Sequence, residues 1–237
     1  MITASHTHYA PFLDKTKPNL GTVNPNYYAF FLDQLLAVVK TLLSNKPQPV
    51  ALYYSEIETK GLIINRRKKT WSLRKKTIPW LSMSIYPNPH TPIDKKLRLI
   101  HYINPKTKQP LALAWNIACH PVMYHSPRHV SGHFVSSIRE HIRKKQSIPI
   151  LFHQGFAGDI RPLNAPKPTT LKNKIKTIIN KQEPFQDFTK TSYNNWIKKF
   201  IVHIDALLKQ EPTKIENNNL TIKHYEYPLE EIWNGET

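Results

Sequence analysis

Segments with the pattern of β-strands alternate with segments of helical periodicity, and this alternation constrains the fold more than any other feature of the chain. Apolar runs predict strands at residues 50–57, 97–103, 111–118, 148–153 and 220–227, and apolar residues at helical spacing predict helices at 25–44, 135–145, 172–181 and 192–210. The polar turn at 104–110 joins two of the strands and indicates a hairpin. Together these segments predict an α/β domain with a mixed β-sheet core and flanking helices.

The length of the chain and the spread of its polar segments indicate one folding unit. Its 237 residues are enough for one large domain or two small ones, and 40% of them are hydrophobic, which is compatible with a packed core. The polar segment at 182–191 is typical of a long loop and does not mark a boundary between domains. We therefore expect a single domain over residues 1–237.

The chain is strongly basic, with a formal net charge of +18. Such a charge favours anionic partners, namely nucleic acid, acidic lipid headgroups or a polyanionic substrate. The basic residues are spread over 66–76, 139–145 and 172–181, which is typical of a solvated surface. We expect no specific nucleic-acid site, although a basic nucleic-acid-binding protein remains an alternative. An anionic membrane surface is a further candidate partner.

Cysteine content and the N-terminal sequence limit the metal ligands and the cellular location that we expect. Cys119 is the only cysteine, which excludes an internal disulfide and a cysteine-rich zinc module. Any metal ion would therefore be held by His, Asp, Glu or Tyr. The chain does not start with a basic region followed by an apolar run, and we expect no segment long and apolar enough to cross a bilayer. The sequence as written predicts a cytoplasmic chain, and it leaves the oligomeric state open.

Two histidine-bearing segments are candidates for one metal site. In His6-Thr7-His8, an extended backbone would place both imidazoles on the same side, because side chains alternate along a strand. His120 follows the strand predicted at 111–118 and is locked by Pro121. Either segment alone is more typical of a structural role than of a metal ligand. Two such segments at strand ends can converge on one rim of a sheet.

A glycine-bearing loop and an arginine extend the candidate site. The loop at 155–159 (Gly-Phe-Ala-Gly-Asp) directly follows the strand predicted at 148–153. Its glycines permit close backbone approach, so that N–H groups could face an anion or orient Asp159; a tight turn capped by Asp159 is the structural alternative. Arg66 offers a fixed cation for a carbonyl or an anionic group, and its alternative is a surface arginine. Further imidazoles lie near these segments, at His125, His129, His133 and His153.

Taken in order, these segments resemble the neutral, non-lysosomal ceramidase family and its bacterial relatives. In the first half of the chain, residues 4–8 match the family's T-H-T-H-S-G-P, residues 65–66 match its N-R motif, and residues 92–94 match the segment that leads into the strand at 97–103. In the second half, residues 116–121 match a strand ending in H-P, residues 130–134 match S-x-D-[FY], and residues 155–162 match G-x-x-G-D-x-x-P. The resemblance covers most of the chain. Its most specific pieces are H-T-H, the H-P strand end and the G-D-x-x-P loop in this order.

The resemblance implies a zinc-dependent amide hydrolase that cleaves an N-acyl sphingoid lipid into a fatty acid and sphingosine. It implies zinc ligands at His6 and His120, and a role for His8 and Arg66 in binding substrate or stabilising the oxyanion. Asp159, the acidic residue of the G-D loop, completes the predicted catalytic set. The implied cofactor is zinc, and the implied partner is a ceramide-like lipid amide. Members of the family are often exported.

The chain departs from the family pattern at several positions. Tyr9 follows H-T-H in place of Ser, Arg161 stands where the ceramidases proper have Ser, and His133 replaces the Asp of S-x-D. The family's strand-rich segment before H-T-H and its Glu and Tyr zinc ligands have no counterpart in these residues, so we expect a fragment that is incomplete relative to the family domain. A third ligand would come from Asp159, His125 or His133. The alternative is a degenerate, non-catalytic member that keeps the sheet.

Overall fold

The computed structural model describes residues 3–72, 80–123, 130–164, 171–180, 185, 187–216 and 225. In chain order its elements are a 3₁₀-helix at Pro18–Leu20, α1 at Pro25–Ser44, β1 at Ala51–Glu58, β2 at Ile63–Ser72, β3 at Trp80–Asn88, β4 at Lys96–Ile103, β5 at Pro110–Ile117, α2 at His133–Arg143, β6 at Ile150–Gln154, β7 at Ile160–Pro162, α3 at Leu171–Asn180, α4 at Lys190–Lys209 and β8 at Thr213–Lys214. The strands form two sheets with flanking helices, which confirms the predicted mixed α/β fold.

The larger sheet has the strand order β6-β5-β4-β1-β8. β4 and β5 pair antiparallel as the predicted hairpin, and Asn104 stabilises its turn by accepting hydrogen bonds from the backbone N–H groups of Lys106 and Thr107. β5 and β6 pair in parallel, because α2 lies between them in sequence and returns the chain across the sheet. The carboxyl ends of β5 and β6 therefore lie side by side, with Ile117 opposite Gln154.

A core of aromatic and aliphatic side chains lies between the larger sheet and the helices α2 and α4. The ring centroid of Trp115 in β5 lies 4.4 Å from that of Phe152 in β6 and 5.9 Å from that of Phe200 in α4. Phe134 in α2 lies 5.5 Å from Trp196 in α4. These rings are almost fully buried. The core therefore gives the ends of β5 and β6 a rigid base.

The smaller sheet has the order β3-β2-β7 and joins the loop at 155–159 to the start of β2. β7 pairs antiparallel with β2, and Asn65 lies opposite Ile160. β3 was missed although Leu81, Met83 and Ile85 alternate with serines in its sequence. β2 was not predicted, because residues 65–69 (Asn-Arg-Arg-Lys-Lys) are a polar run without apolar alternation. Pairing with neighbouring strands places this segment in a sheet despite its composition.

The other element boundaries differ from the predictions by a few residues. α2 begins at His133, two residues before the predicted start, and α4 begins at Lys190, where Thr189 and Ser192 form a capping box. β8 has only two residues and was not predicted. The strand predicted at 220–227 lies outside the described residues except for Tyr225.

The helix α1 stands apart from the core. Its predicted start is confirmed, because Asn24 accepts a hydrogen bond from the Tyr27 N–H at 3.0 Å and Pro25 occupies the first turn. None of its residues is buried. Its large apolar side chains face solvent, and Leu43 is 80% exposed.

By length and composition, α1 is the one helix in the described ranges that could cross a membrane. This finding corrects the expectation that the chain has no such segment, although core helices and signal sequences pass the same test. A 20-residue helix is about 30 Å long. A single crossing would separate His6 from His120, yet their Nε2 atoms lie 2.9 Å apart. The arrangement of these histidines is therefore incompatible with α1 crossing alone.

Candidate metal centre

Three histidines that are distant in sequence come together in space. His6, His8 and His120 each present one ring nitrogen, and these nitrogens lie within 4.8 Å of one another. The closest pair is His6 Nε2 and His120 Nε2, at 2.9 Å. Across the described segments, this is the one group of three or more His, Cys, Asp or Glu side chains whose donor atoms are close enough to share one metal ion. Three protein ligands are the usual number in a catalytic zinc site.

His120 is held by the backbone around it. It lies three residues beyond the end of β5 and is only 6% exposed. Its N–H donates to the Ile160 carbonyl at 3.1 Å, and its Nδ1 lies 2.6 Å from the Ala157 carbonyl oxygen. A carbonyl can only accept a hydrogen bond, so Nδ1 carries the proton. The unprotonated Nε2 therefore faces His6, which is the orientation that a metal-ligating histidine requires.

The segment of His6 and His8 lies outside regular secondary structure. The predicted extended backbone is not present at His6, whose φ is +59°. The segment is fastened to the start of α2, because the Thr7 hydroxyl donates to the Ser131 carbonyl and the Ser131 N–H donates to the Tyr9 carbonyl, both at 2.8 Å. These bonds bring the exposed imidazoles of His6 and His8 next to His120.

Burial keeps His120 uncharged at neutral pH. Desolvation lowers the pKa of His120 to about 4, and the positive charge of Arg66 adds to this, whereas the hydrogen bond to Ala157 opposes it. Desolvation also lowers the pKa of His8, with smaller contributions from His6 and Arg66. At neutral pH, His120 is therefore a neutral imidazole, the form that binds a metal ion.

The glycine-bearing loop packs tightly against the end of β5. The Gly155 N–H donates to the Ile117 carbonyl at 3.1 Å, and Gln154 Nε2 donates to the Cys119 carbonyl at 3.0 Å. A Cβ at position 155 would lie 2.9 Å from the backbone of Ala118, so the close approach requires glycine. This packing brings the Ala157 carbonyl to His120.

Arg66 anchors the same loop from β2. Its Nε and Nη2 donate to the Gly158 carbonyl at 3.1 and 2.8 Å, and its backbone N–H donates to the Asp159 carbonyl at 2.7 Å. The guanidinium lies close enough to the cluster to lower the pKa values of His8 and His120. Arg66 thus lies beside the histidines and also holds the loop, a role that was not predicted from the sequence.

Asp159 lies at the same cleft as the histidines but pairs elsewhere. Its carboxylate accepts a hydrogen bond from Arg67 Nε at 3.0 Å, at the surface. A cleft of about 680 Å³ is lined by His6, His120, residues 154–160, residues 91–94 and Asn65. Asn65, which is buried, was not singled out as a site residue beyond the N-R motif; its side chain accepts from the Arg67 N–H at 2.7 Å. It therefore stabilises the irregularity in β2 between Asn65 and Arg67, where Arg66 lies.

Of the remaining candidate histidines, the two that the structure describes do not join the cluster. His133 is 2% exposed and packs against Tyr9, with 4.3 Å between the ring centroids. His153 lies in β6. His125 and His129 lie outside the described residues. The third imidazole beside His6 and His120 is instead His8, whose signal in the sequence was the H-x-H spacing itself.

Comparison with known proteins gives a distant structural relationship. No family model and no curated protein sequence matches the chain. Among solved structures, the chain is similar to neutral ceramidase from Pseudomonas aeruginosa, with a TM-score of 0.49 and 14% sequence identity over 79% of this chain. The match covers 27% of that protein, so the chain spans about a quarter of its length. Likeness at this level carries no information on substrate or reaction.

Proposed function

We propose that the chain is a zinc-dependent amide hydrolase whose metal ligands are His6, His8 and His120. The observation that carries this proposal is the approach of their three ring nitrogens to within 4.8 Å of one another. His6 and His120 are the ligands that the sequence predicts. His8 is proposed as the third ligand, in place of the substrate-binding role that the family resemblance implies.

The donor set fits zinc. All three ligands are imidazoles, His120 is neutral, and the Ala157 carbonyl orients its ring through Nδ1. Zinc bound there would supply a nucleophilic water and polarise the carbonyl of the substrate. The chain's own contribution is to hold the nitrogens together at the edge of a rigid sheet, next to a cleft that can admit the substrate.

Arg66 and Asp159 are proposed to act from the loop beside the cluster. Arg66 is fixed by its bonds to Gly158, so its positive charge is already in place to favour negative charge that develops on a carbonyl oxygen. Asp159 lines the cleft and would accept a proton there, once its exposed pairing with Arg67 opens. Both roles follow the predicted catalytic set.

We propose a ceramide-like N-acyl lipid amide as the substrate class and an anionic membrane surface as the partner. The order of the H-T-H, H-P and G-D-x-x-P motifs supports the first. The net charge of +18 and the exposed apolar side chains of α1 support the second. The cytoplasmic location stays a prediction.

One observation favours a second candidate, a non-catalytic relative. His6 Nε2 and His120 Nε2 lie at hydrogen-bond distance, 2.9 Å, so the two imidazoles can satisfy each other without a metal ion. A protein that uses the pair in this way would keep the sheet and the histidine contact without binding zinc.

An amidase assay separates the two candidates. The purified chain, loaded with zinc or treated with a chelator, would be incubated with N-acyl sphingoid substrates, and the released fatty acid measured. The proposal predicts release by the zinc-loaded chain, loss with chelator, and a reduction of about tenfold or more in Arg66→Gln. Release that is unchanged by the chelator contradicts a metal mechanism, and a chain that takes up no zinc and releases no fatty acid favours the non-catalytic candidate.

A further inference from the structure

Tyr9 has two polar neighbours beside the metal centre, His133 and Arg161, and we call these three residues the Tyr9 cluster. The ring centroids of Tyr9 and His133 lie 4.3 Å apart. Arg161 in β7 lies close enough to Tyr9 and to Arg66 to interact with both electrostatically. Tyr9 follows His8 directly, and the His133 N–H donates to the Ser131 hydroxyl at 3.1 Å, in the same segment that is fastened to residues 7–9. The Tyr9 cluster is thus held in place by the contacts that assemble the metal centre.

Polar atoms without partners concentrate in the Tyr9 cluster. Six buried side-chain nitrogen or oxygen atoms in the described part of the chain have no hydrogen-bond partner, and three of them are His133 Nδ1, His133 Nε2 and Arg161 Nε. His133 is 2% exposed, and its φ is +51°, a backbone conformation that residues other than glycine rarely adopt. Buried polar groups are almost always paired, and strained conformations cluster where a ligand is bound. The unpartnered nitrogens therefore point to a ligand that accepts hydrogen bonds.

The charges around Arg161 favour an anion as that ligand. Its guanidinium stacks on the Phe185 ring at 4.3 Å, and its charged neighbours are Arg66, which repels it, and Asp187, which attracts it. Burial raises the pKa of the nearby Cys119 thiol well above its usual range, so this thiol supplies no negative charge. Arg66 in turn is repelled by Arg67 and attracted by Asp159, so three guanidiniums share two carboxylates and one positive charge is left over. A partly buried guanidinium is most stable when a planar anion accepts its N–H groups.

We propose that the Tyr9 cluster binds the anionic group, a carboxylate or a phosphate, of the substrate whose amide lies at the metal centre. Arg161 Nε and a ring N–H of His133 donate to this group. The substrate part of this proposal rests on the proposed amide hydrolase, and it narrows the substrate to N-acyl amides that carry an anionic group. Binding of the anion itself requires no metal ion.

The test is calorimetric titration of the full chain, stripped of metal by a chelator, with inorganic phosphate and separately with acetate, in 0.15 M salt to screen surface charges. We expect one binding site, and we expect Arg161→Gln to weaken binding at least tenfold. Arg161→Lys keeps the charge without the planar fork and should weaken it less. The matched control is Arg143→Gln, which removes one positive charge from a side chain that is 60% exposed and should leave affinity unchanged. The anion that binds more tightly identifies the chemical group.

Equal affinity in Arg161→Gln and the parent chain would overturn the proposal, as would an equal loss in Arg143→Gln or binding of neither anion. Circular dichroism shows whether each variant folds, and if Arg161→Gln does not, a several-fold loss in Arg161→Lys and in His133→Asn is the result that supports the proposal. Because the titration is done without metal, it is independent of the hydrolase assignment. A chain that binds phosphate through Arg161 but takes up no zinc contradicts the proposed function alone.

Discussion

At the scale of single residues, the candidate site depends on a few backbone contacts around His120. The Ala157 carbonyl selects the ring tautomer, and Ala157 is placed by the loop that Arg66 and Gly155 hold against β5. The H-T-H and H-P motifs singled out His6 and His120 in the sequence, and the structure brings these two imidazoles together. The position of His8 in the cluster and the anchoring role of Arg66 were not, since both arise from contacts between segments far apart in the chain.

Gly155 tests the packing of this loop. An added Cβ would meet backbone atoms of Ala118 at 2.9 Å, and backbone cannot move aside as a flexible side chain can. We expect Gly155→Ala to lower the free energy of unfolding by about 1–3 kcal/mol in urea denaturation. Gly158→Ala is the control, because a Cβ there meets nothing within 4 Å, and it should change stability by less than about 0.5 kcal/mol. Similar losses in both variants would contradict this account.

His133 makes stability depend on pH in the metal-free chain. Desolvation, with a smaller contribution from His8, lowers its pKa from 6.5 to about 4. The unfolded chain therefore takes up a proton at this residue below about pH 6.5, whereas the folded chain does not until about pH 4, so stability is lost as the pH falls through this window. Across this window the lowered pKa of His133 corresponds to a change of about 3 kcal/mol in the free energy of unfolding.

We expect His133→Asn to remove this part of the pH dependence of unfolding, because asparagine tolerates the positive φ and does not titrate. Replacing the exposed His90 with Asn is the control and should leave the pH profile unchanged. If the profile of His133→Asn runs parallel to that of the parent chain between pH 4 and 6.5, His133 is not the group responsible.

At the scale of elements, the sequence predicts those whose apolar residues recur with a regular period. β4, β5, β6 and the helices α1, α2 and α4 were predicted to within a few residues, because their apolar side chains recur with the period of the element. β2 was missed, because its polar run at 65–69 is held in a sheet by pairing with β3 and β7. That pairing cannot be read from local sequence, yet it is what brings Arg66 to the site.

α4 supplies the test of the core at this scale. Phe200 is fully buried between Trp115, Phe134 and Trp196, with centroid distances of 5.2–5.9 Å. We expect Phe200→Ala to lower the free energy of unfolding by about 3–5 kcal/mol, because the cavity cannot close among rigid rings. Val202→Ala, on the exposed side of the same helix, should cost much less. A small effect at Phe200 would show that α4 does not cover the sheet.

At the scale of the whole molecule, the net charge and the apolar surface of α1 determine which surfaces the chain can bind. The net charge of +18 was evident from the sequence, but the exposure of α1 was not, since its apolar residues read equally well as one side of a core. The structure leaves α1 without a buried residue and excludes a single crossing of a membrane together with the histidine cluster. Contact with a lipid surface uses both features without separating His6 from His120.

Vesicle binding tests this contact. We expect the chain to bind vesicles that contain phosphatidylserine and to bind neutral vesicles more weakly, with affinity falling as salt is raised. The double variant Leu42→Asp and Leu43→Asp should weaken binding by about tenfold or more, because it removes two exposed apolar side chains and adds negative charge. Val202→Asp, an exposed position on α4, is the control. Unchanged binding in the double variant would exclude α1 from the contact.

The zinc content of the purified chain tests the central claim most directly. The parent chain would be equilibrated with zinc, freed of excess metal and compared by elemental analysis with a His6→Ala and His120→Ala double variant and with His90→Asn as the control. We expect about one zinc ion per chain in the parent and in the control, and loss of zinc in the double variant. A parent chain that retains no zinc, or a double variant that retains as much as the parent, would contradict the assignment of His6, His8 and His120 as a metal centre.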